Sequence, residues 1–118
     1  MKVNILGTQY TIKKNKYEQD AEFRQSNSNG YCDSHMKKIV YCDMKTYPGW
    51  ENEPEAAILL EEKSTLRHEI VHAFLHESGL SASAGHCDFA WAKNEEMVDW
   101  IALQGEKIYA AWKKANAL

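Results

Sequence analysis

The chain contains two histidines and a glutamate at a spacing that would allow metal binding and proton transfer: His68, Glu69 and His72. On an α-helix, residues four apart lie about 40° apart around the axis and one turn apart along it, so both imidazoles can reach one ion. Zinc accepts histidine nitrogens at about 2.0–2.1 Å, which this spacing allows. Glu69 lies about 100° around the helix, beside such an ion, where its carboxylate can take a proton from water and return it to a leaving amine. The spacing therefore predicts a zinc-dependent hydrolytic site.

This pattern can also arise by chance, because the chain carries five histidines and twelve glutamates. Ile70, Val71 and Phe74 make the segment apolar, and two core histidines held by backbone groups would show the same spacing. A third protein ligand separates the two interpretations, since catalytic zinc takes three protein groups and keeps one position open.

Glu95 is the preferred third ligand. Glu95 and Asp99, four residues apart at the start of a second predicted helix, share one helix face. The small residues Ala102 and Gly105 would let that face approach the histidine helix closely. Asp99 can then accept a hydrogen bond from the outer N–H of a ligating histidine. The alternative is that the carboxylates only complement the positive end of their own helix.

Two other histidines compete for a place in the site. His76 continues the four-residue spacing, but eight residues of helix put its Cα about 12 Å from that of His68. One ion cannot be shared over that distance, so His76 is expected to flank the site. His86 follows His72 by 14 residues in a predicted loop, from which it can reach back as a ligand or a substrate contact.

The elements that must position these residues are predicted to be α+β. Short runs at residues 3–7 and 10–14 predict one β-hairpin, and residues 31–33 and 38–43 predict a second. A loop at residues 47–54 leads into helix formers at 56–78, which are one helix or two that meet near Ser64 and Thr65. Gly79 is expected to end that run in a left-handed cap, residues 81–89 to form a loop, and residues 94–115 to form a final helix.

Apolar spacing predicts which faces of the two long helices are buried against the small sheet and against each other. On the first helix the predicted buried stripe comprises Leu66, Ile70 and Phe74, flanked by Val71 and Leu75. On the final helix it comprises Met97, Ile101, Ile108 and Trp112.

Composition bounds the organisation of the chain and its partners. Its 118 residues are 44% apolar and 26% charged, as expected for one domain over residues 1–118. A net charge of −3 argues against a nucleic-acid partner, and no apolar run is long enough for a membrane span. Without a secretory signal the expected location is cytoplasmic, where Cys32, Cys42 and Cys87 would stay reduced. A bridge between Cys32 and Cys42 across the second hairpin is the less favoured alternative.

The segment Asn94-Glu95-Glu96-Met97-Val98-Asp99 resembles the Asn-Glu-x-x-x-Asp signature of thermolysin-like gluzincins. Together with the His-Glu-x-x-His helix and the short chain, it looks still more like the minimal gluzincins of the ImmA/IrrE type, which are often phage-encoded. The Glu-x-x-Ala-x-x-Phe-Ala helix of that family is matched in part: Ala102 agrees, whereas Val98 and Ile101 stand at its alanine and phenylalanine. The resemblance covers residues 64–105.

This resemblance implies a zincin-like metallopeptidase fold, with zinc held by His68, His72 and Glu95, Glu69 as general base and Asp99 supporting a histidine. It implies hydrolysis of peptide bonds in a protein or peptide substrate, expected to be a specific regulatory protein. Gluzincins also use a histidine or tyrosine to stabilise the oxyanion. Here the candidates for that role are His86, Tyr47 and Tyr31.

Two other functions are consistent with the same residues. A zinc-binding regulatory or interaction module would keep the site but lose turnover, although the intact Glu69 argues against it. A DNA-associated protease of the SprT type would need a histidine as third ligand, which His86 can provide. It would also need a basic or zinc-ribbon extension, which these 118 residues do not contain.

Overall fold

The computed structural model describes residues 1–85, 87 and 90–118, and its architecture is α+β, as predicted. Within those residues, one sheet contains four strands: β1 (Lys2–Ile5), β2 (Thr8–Asn15), β3 (Gly30–Asp33) and β4 (Lys38–Cys42). The helices of the same residues are α1 (Ala21–Gln25), α2 (Glu55–Glu77), α3 (Leu80–Ser83) and α4 (Glu95–Lys114). Short 3₁₀ turns occupy Tyr17–Gln19, Met44–Thr46 and Trp91–Lys93.

The two predicted hairpins are confirmed, and they combine into one sheet in the order β1-β2-β4-β3. A tight turn with left-handed backbone at Leu6 (φ 49°) and Gly7 (φ 92°) joins β1 to its antiparallel neighbour β2. The hairpins meet through a parallel pairing of β2 with β4, in which Ile12 lies opposite Ile39. This order leaves β3 at an edge of the sheet, next to β4 alone.

The first long helix is one continuous element of 23 residues, so the chain does not form two helices that meet near Ser64 and Thr65. Pro54 precedes its first residue, where the missing N–H of proline costs nothing. Gly79 follows its end with φ 84°, the left-handed conformation that the sequence predicted.

Helix α2 lies between the sheet and α4, so the core has two sides. Towards the sheet, Ile58 and Ala73 are buried against side chains of the sheet and of α1, including Ile5, Tyr10, Phe23, Ile39 and Val40. Towards α4, Leu75 packs in a separate cluster with Ala92 and Val98. The same helix therefore presents one face to the sheet and a second face to α4, and residues on both faces can meet along it.

Two glutamates tie α2 to the sheet through polar contacts. The buried Glu62 accepts hydrogen bonds from Lys14 Nζ (2.7 Å) and from the backbone N–H of Met44 (3.0 Å). Glu77, the last residue of α2, accepts one from Tyr10 Oη (2.7 Å). It also accepts hydrogen bonds from Thr8 and Lys37, so both hairpins hold the end of this helix.

The predicted buried stripes were partly wrong. On α2, Leu66, Ile70 and Val71 pack against the core and Leu75 is buried, but Phe74 is 41% exposed. Phe74 lies about 100° around the helix from the buried Ala73 and thus beyond the face that the sheet covers. On α4 only Val98 and Ala102 are buried, and Trp112 is 53% exposed. Every residue from Tyr109 to Leu118 is exposed, because the second half of α4 extends past its partners.

Two helical segments differ from the prediction. Residues 81–89 were expected to be a loop, but Leu80–Ser83 forms one helical turn, closed by a hydrogen bond from the Ser83 N–H to the Gly79 carbonyl (3.0 Å). Helix α1 was not predicted at all. Asp20 caps it by accepting a hydrogen bond from the Glu22 N–H (3.2 Å), and Phe23 anchors it in the core.

The three cysteines are free thiols, as expected. Cys32 lies opposite Ile39 in the β3–β4 register, so Cys42 does not face it across the hairpin. No helix among the described residues has the length and apolar character that crossing a membrane requires.

Candidate metal centre

Three donor groups converge where the N-terminus of α4 meets the middle of α2. Nε2 of His68 lies 3.0 Å from Nε2 of His72. The Glu95 carboxylate faces both rings, with Oε2 3.0 Å from His68 Nε2 and 3.3 Å from His72 Nε2. The structure therefore brings together the two histidines and the distant glutamate that the sequence singled out.

These separations fit a single bound ion. Donor atoms on a tetrahedral centre with bonds of about 2.0–2.1 Å lie about 3.3 Å from one another. The three observed separations are between 3.0 and 3.3 Å, so an ion can sit among these atoms with only small side-chain shifts. Two nitrogens and one carboxylate oxygen would hold three positions of such a centre and would leave the fourth to a ligand.

Glu69 supplies a second carboxylate beside this group. His68, Glu69 and His72 each place one donor atom within 4.8 Å of the others, and this group is able to hold a metal ion. Oε2 of Glu95 lies closer, at 3.0–3.3 Å from the two imidazole nitrogens, and Glu95 lines the open cleft from α4. Glu69 is 7% exposed and lies on the sheet side of α2. Of the two carboxylates, Glu95 thus has the better position for a ligand and Glu69 for a neighbour of the ion.

Burial changes the proton affinity of two of these groups. It raises the pKa of Glu69 to about 7, with the Glu95 and Asp99 carboxylates adding to the rise and His68 opposing it. Burial also lowers the pKa of His72, against the opposing influence of Glu95. A neutral imidazole is the form that binds a metal, so this shift favours the ligand form of His72 at neutral pH.

Residues on α4 orient the donors. The Asn94 side chain caps the helix by accepting a hydrogen bond from the Met97 N–H (2.8 Å), so Glu95 occupies the first helical position. One turn later, His68 Nδ1 donates to Asp99 Oδ1 (2.6 Å), which leaves the lone pair of a neutral His68 on Nε2.

Arg67 Nε donates to the carbonyl of the buried Ala102 (3.1 Å) and joins the helices beyond the site. The predicted closeness at Gly105 is wrong, because a Cβ there would have no neighbour within 4 Å among the described residues.

The donors open into a cleft of about 510 Å³ between α2 and the edge strand β3. Its walls are mostly polar, and from the sheet side they include Gly30, Tyr31, Cys32 and Ser34. Gly30 makes the close approach of β3 to α2 possible: a Cβ at this position would lie 2.4 Å from Cγ2 of Thr65 and 3.4 Å from Cγ of Glu69. The edge strand can therefore form one wall of the site.

The described candidates for the oxyanion-stabilising residue, Tyr31 and Tyr47, lie at different distances from the cleft. Tyr31 lines the cleft, but its hydroxyl donates to Asp20 Oδ2 (2.7 Å). Tyr47 packs beside Tyr17 against the cluster of Phe23 and Met44 and is not part of the cleft wall. His76 lines the cleft one turn beyond His72, in the flanking position expected for it. His86 lies outside the described residues.

Several residues of the site were not predicted from the sequence. Gly30 and Cys32 border Glu69 because β3 and α2 pack together, and no local spacing indicates that contact. Glu61 lines an adjoining pocket from the turn before Thr65. Its spacing of seven residues from His68 placed it near the same face of α2, and this signal could have identified it.

Comparisons with known proteins provide no relative, since no family model, no curated protein and no solved structure matches this chain.

Proposed function

We propose that this chain is a zinc-dependent peptidase with a zincin-like site of the gluzincin type, in which His68, His72 and Glu95 hold the metal. The observation that supports it best is the convergence of their donor atoms at 3.0–3.3 Å beside the buried carboxyl group of Glu69. Two isolated core histidines would not require a carboxylate from another helix between them.

Zinc is the metal that the donor set favours. Two imidazoles and one carboxylate with an open fourth position form a frequent catalytic zinc site, whereas magnesium and calcium prefer oxygen ligands alone. Asp99 holds His68 in the tautomer that keeps Nε2 free for the ion. The resemblance to ImmA/IrrE-type gluzincins points to the same metal.

The residues around the ion have separate tasks in this proposal. When bound, zinc polarises a carbonyl oxygen and lowers the pKa of water. Glu69 accepts the proton of the attacking water and later donates it to the leaving amine, and one of its oxygens lies within 4.8 Å of a nitrogen of each histidine. His68 and His72 face the ion with Nε2, and Asp99 fixes the ring of His68.

A peptide is the substrate that the cleft suits. Strand β3 is an edge strand and forms one wall of the cleft, so the N–H and C=O groups of its outer side can pair with an extended chain. The cleft of about 510 Å³ is open and polar, unlike an enclosed apolar pocket for a small ligand. We propose a protein or peptide substrate, with a specific regulatory protein as the physiological one.

Metal analysis and proteolysis of three variants test this function. Protein purified without chelators should contain about one zinc per chain, as a three-ligand site requires. Glu95→Ala should lose zinc readily, whereas His76→Ala should retain it. Glu69→Gln should keep the metal but no longer cleave a mixed peptide library read by mass spectrometry. A chain without zinc contradicts the site, and cleavage that survives Glu69→Gln contradicts the role of Glu69.

A zinc-binding regulatory module without turnover is the second candidate, and the placement of the tyrosines favours it. The Tyr31 hydroxyl is engaged by Asp20, and Tyr47 packs away from the cleft. Stoichiometric zinc in a wild-type protein that cleaves no peptide in the library would support this candidate over the peptidase.

A further inference from the structure

The cleft continues past the proposed metal ligands into a side pocket of about 230 Å³, here named the Glu61 pocket. It shares His68 and Glu69 with the main cleft, so it adjoins the proposed metal centre. Its other walls come from the loop before β3 and the first residue of that strand, from the preceding turn of α2, and from α4. They comprise Ser28, Asn29, Gly30, Glu61, Ser64, Thr65 and Asp99.

Glu61 gives this pocket a fixed negative charge. Asn29 Nδ2 donates to Glu61 Oε1 (2.8 Å), which holds the partly buried carboxylate in place. Among the described residues no salt bridge involves Glu61, and neither the pocket nor the main cleft is lined by lysine or arginine. The other acidic groups of the pocket have different tasks, since Asp99 holds His68 and Glu69 stands beside the ion.

We infer that the Glu61 pocket selects substrates with a lysine or arginine side chain next to the cleaved bond. This inference rests on the proposed peptidase function. The volume of about 230 Å³ and the small residues Ser28 and Ser64 leave room for an unbranched alkyl chain. A lysine or arginine side chain in this space would place its charged end at Glu61 Oε2, the carboxylate oxygen that does not accept the hydrogen bond from Asn29. A charge-assisted hydrogen bond in a partly desolvated pocket is stronger than its neutral counterpart.

Binding to an inactive protein tests the selection without depending on turnover. Two pools of nonapeptides, random except for a central lysine or a central norleucine, are titrated against zinc-loaded Glu69→Gln. The lysine pool should bind about tenfold more tightly, the difference that one net charge-assisted hydrogen bond supplies. Adding Glu61→Gln should remove that difference, and adding Glu61→Lys should reverse it in favour of a pool with a central glutamate.

Glu55→Gln is the matched control, because Glu55 is an exposed glutamate of the same helix that does not line the pocket. It removes the same charge and should retain the preference for lysine. Equal binding of the two pools, or a preference that persists in Glu61→Gln, overturns the inference. Urea unfolding of Glu61→Gln at neutral pH shows that the variant is folded.

Hydrolysis by the wild-type protein separates this inference from the proposed function. Cleavage beside lysine and arginine supports both, whereas cleavage without that preference overturns the inference alone. If zinc-loaded wild type cleaves neither pool, the peptidase function is contradicted, and the binding titration still decides whether the Glu61 pocket selects basic side chains.

Discussion

His68 and Asp99 are joined across two helices by one hydrogen bond of 2.6 Å, from Nδ1 to Oδ1. This bond fixes both the ring orientation and the position of the Nε2 lone pair. Asp99→Ala should therefore lower zinc affinity about 10–100-fold, measured by competition with a chromogenic chelator. The side chain of Asp99 is 62% exposed, so the free energy of unfolding of the metal-free protein should change little.

The control for this prediction is Glu96→Ala, which removes a neighbouring carboxylate that is exposed. It should keep wild-type zinc affinity. An equal loss of affinity in both variants would mean that the net charge of α4, and not the bond to His68, determines binding.

Gly30 sets the distance between β3 and α2. Gly30→Ala would place a methyl group 2.4 Å from Thr65 Cγ2. The Val40 carbonyl oxygen, 3.2 Å from the same methyl group, leaves it little space to move away. We expect a loss of about 1–3 kcal/mol in the free energy of unfolding, measured with urea. Adding Thr65→Ser, which removes Cγ2, should restore part of it. Restoration that fails would mean that another contact causes the loss.

Gly105→Ala is the matched substitution at a position without a close neighbour. Because Gly105 lies inside α4, alanine should raise the free energy of unfolding by about 0.5–1 kcal/mol through helix propensity. Opposite signs at Gly30 and Gly105 would show that contact geometry decides the result. A destabilised Gly105→Ala would reveal packing against α4 that the structure does not contain.

The protein should lose stability in acid when the carboxylate of Glu77 becomes protonated. Hydrogen bonds from Lys37, Tyr10 and Thr8 hold the pKa of Glu77 near 2, below its usual 4.5. A carboxylate with a depressed pKa contributes stability that is complete above the unfolded value and is lost as the pH falls through the folded value. The difference in the free energy of unfolding between wild type and Glu77→Gln should thus be largest above about pH 5 and narrow towards pH 2.

Urea unfolding at several pH values measures that difference. Glu18→Gln serves as control, because Glu18 is exposed and its nearest cation, on Arg24, is 3.7 Å away. Exposed pairs of this kind contribute little, so its difference from wild type should stay small at every pH. A constant difference for Glu77→Gln would contradict the importance of the ionised carboxylate.

The three thiols should react at different rates. Cys87 is exposed, whereas burial raises the pKa of Cys32 to about 12 and that of Cys42 to about 11. Because the thiolate is the reactive form, a disulfide reagent at neutral to mildly alkaline pH should modify one thiol quickly and two slowly. Cys87→Ser should abolish the fast phase, and guanidinium should make all remaining thiols react alike. A fast phase that persists in Cys87→Ser would contradict this order.

Local spacing made the two long helices and their donors predictable. His68 and His72 lie one turn apart on α2, and Glu95 with Asp99 lie one turn apart on α4, so each pair could be read within its own helix. The cap at Asn94 and the glycine at position 79 set the helix limits within a few residues. Burial was predicted less well, because Phe74 and Trp112 follow the helical period but are 41% and 53% exposed in the part of the chain that the structure describes.

Long-range packing accounts for what the sequence did not reveal. The parallel pairing of Ile12 with Ile39 joins strands from different hairpins, and no periodicity within either strand indicates it. That pairing places β3 at the edge of the sheet, where Gly30 approaches α2 and forms a wall of the cleft. The Glu61 pocket depends on the same approach, since Asn29 reaches Glu61 only from the loop before β3.

The attachment of α2 at Glu62 and Glu77 has a consequence for the metal centre between them. These residues are 15 positions apart, about 22 Å along a helix, and His68 and His72 lie inside that interval. With both ends of this interval held, the helix would keep the two imidazoles in one orientation before the proposed ion binds. Ion uptake then requires little reorganisation on this side, and the donor pair is preorganised by the scaffold. The adjustable part of the centre is Glu95, which approaches from the less covered helix α4.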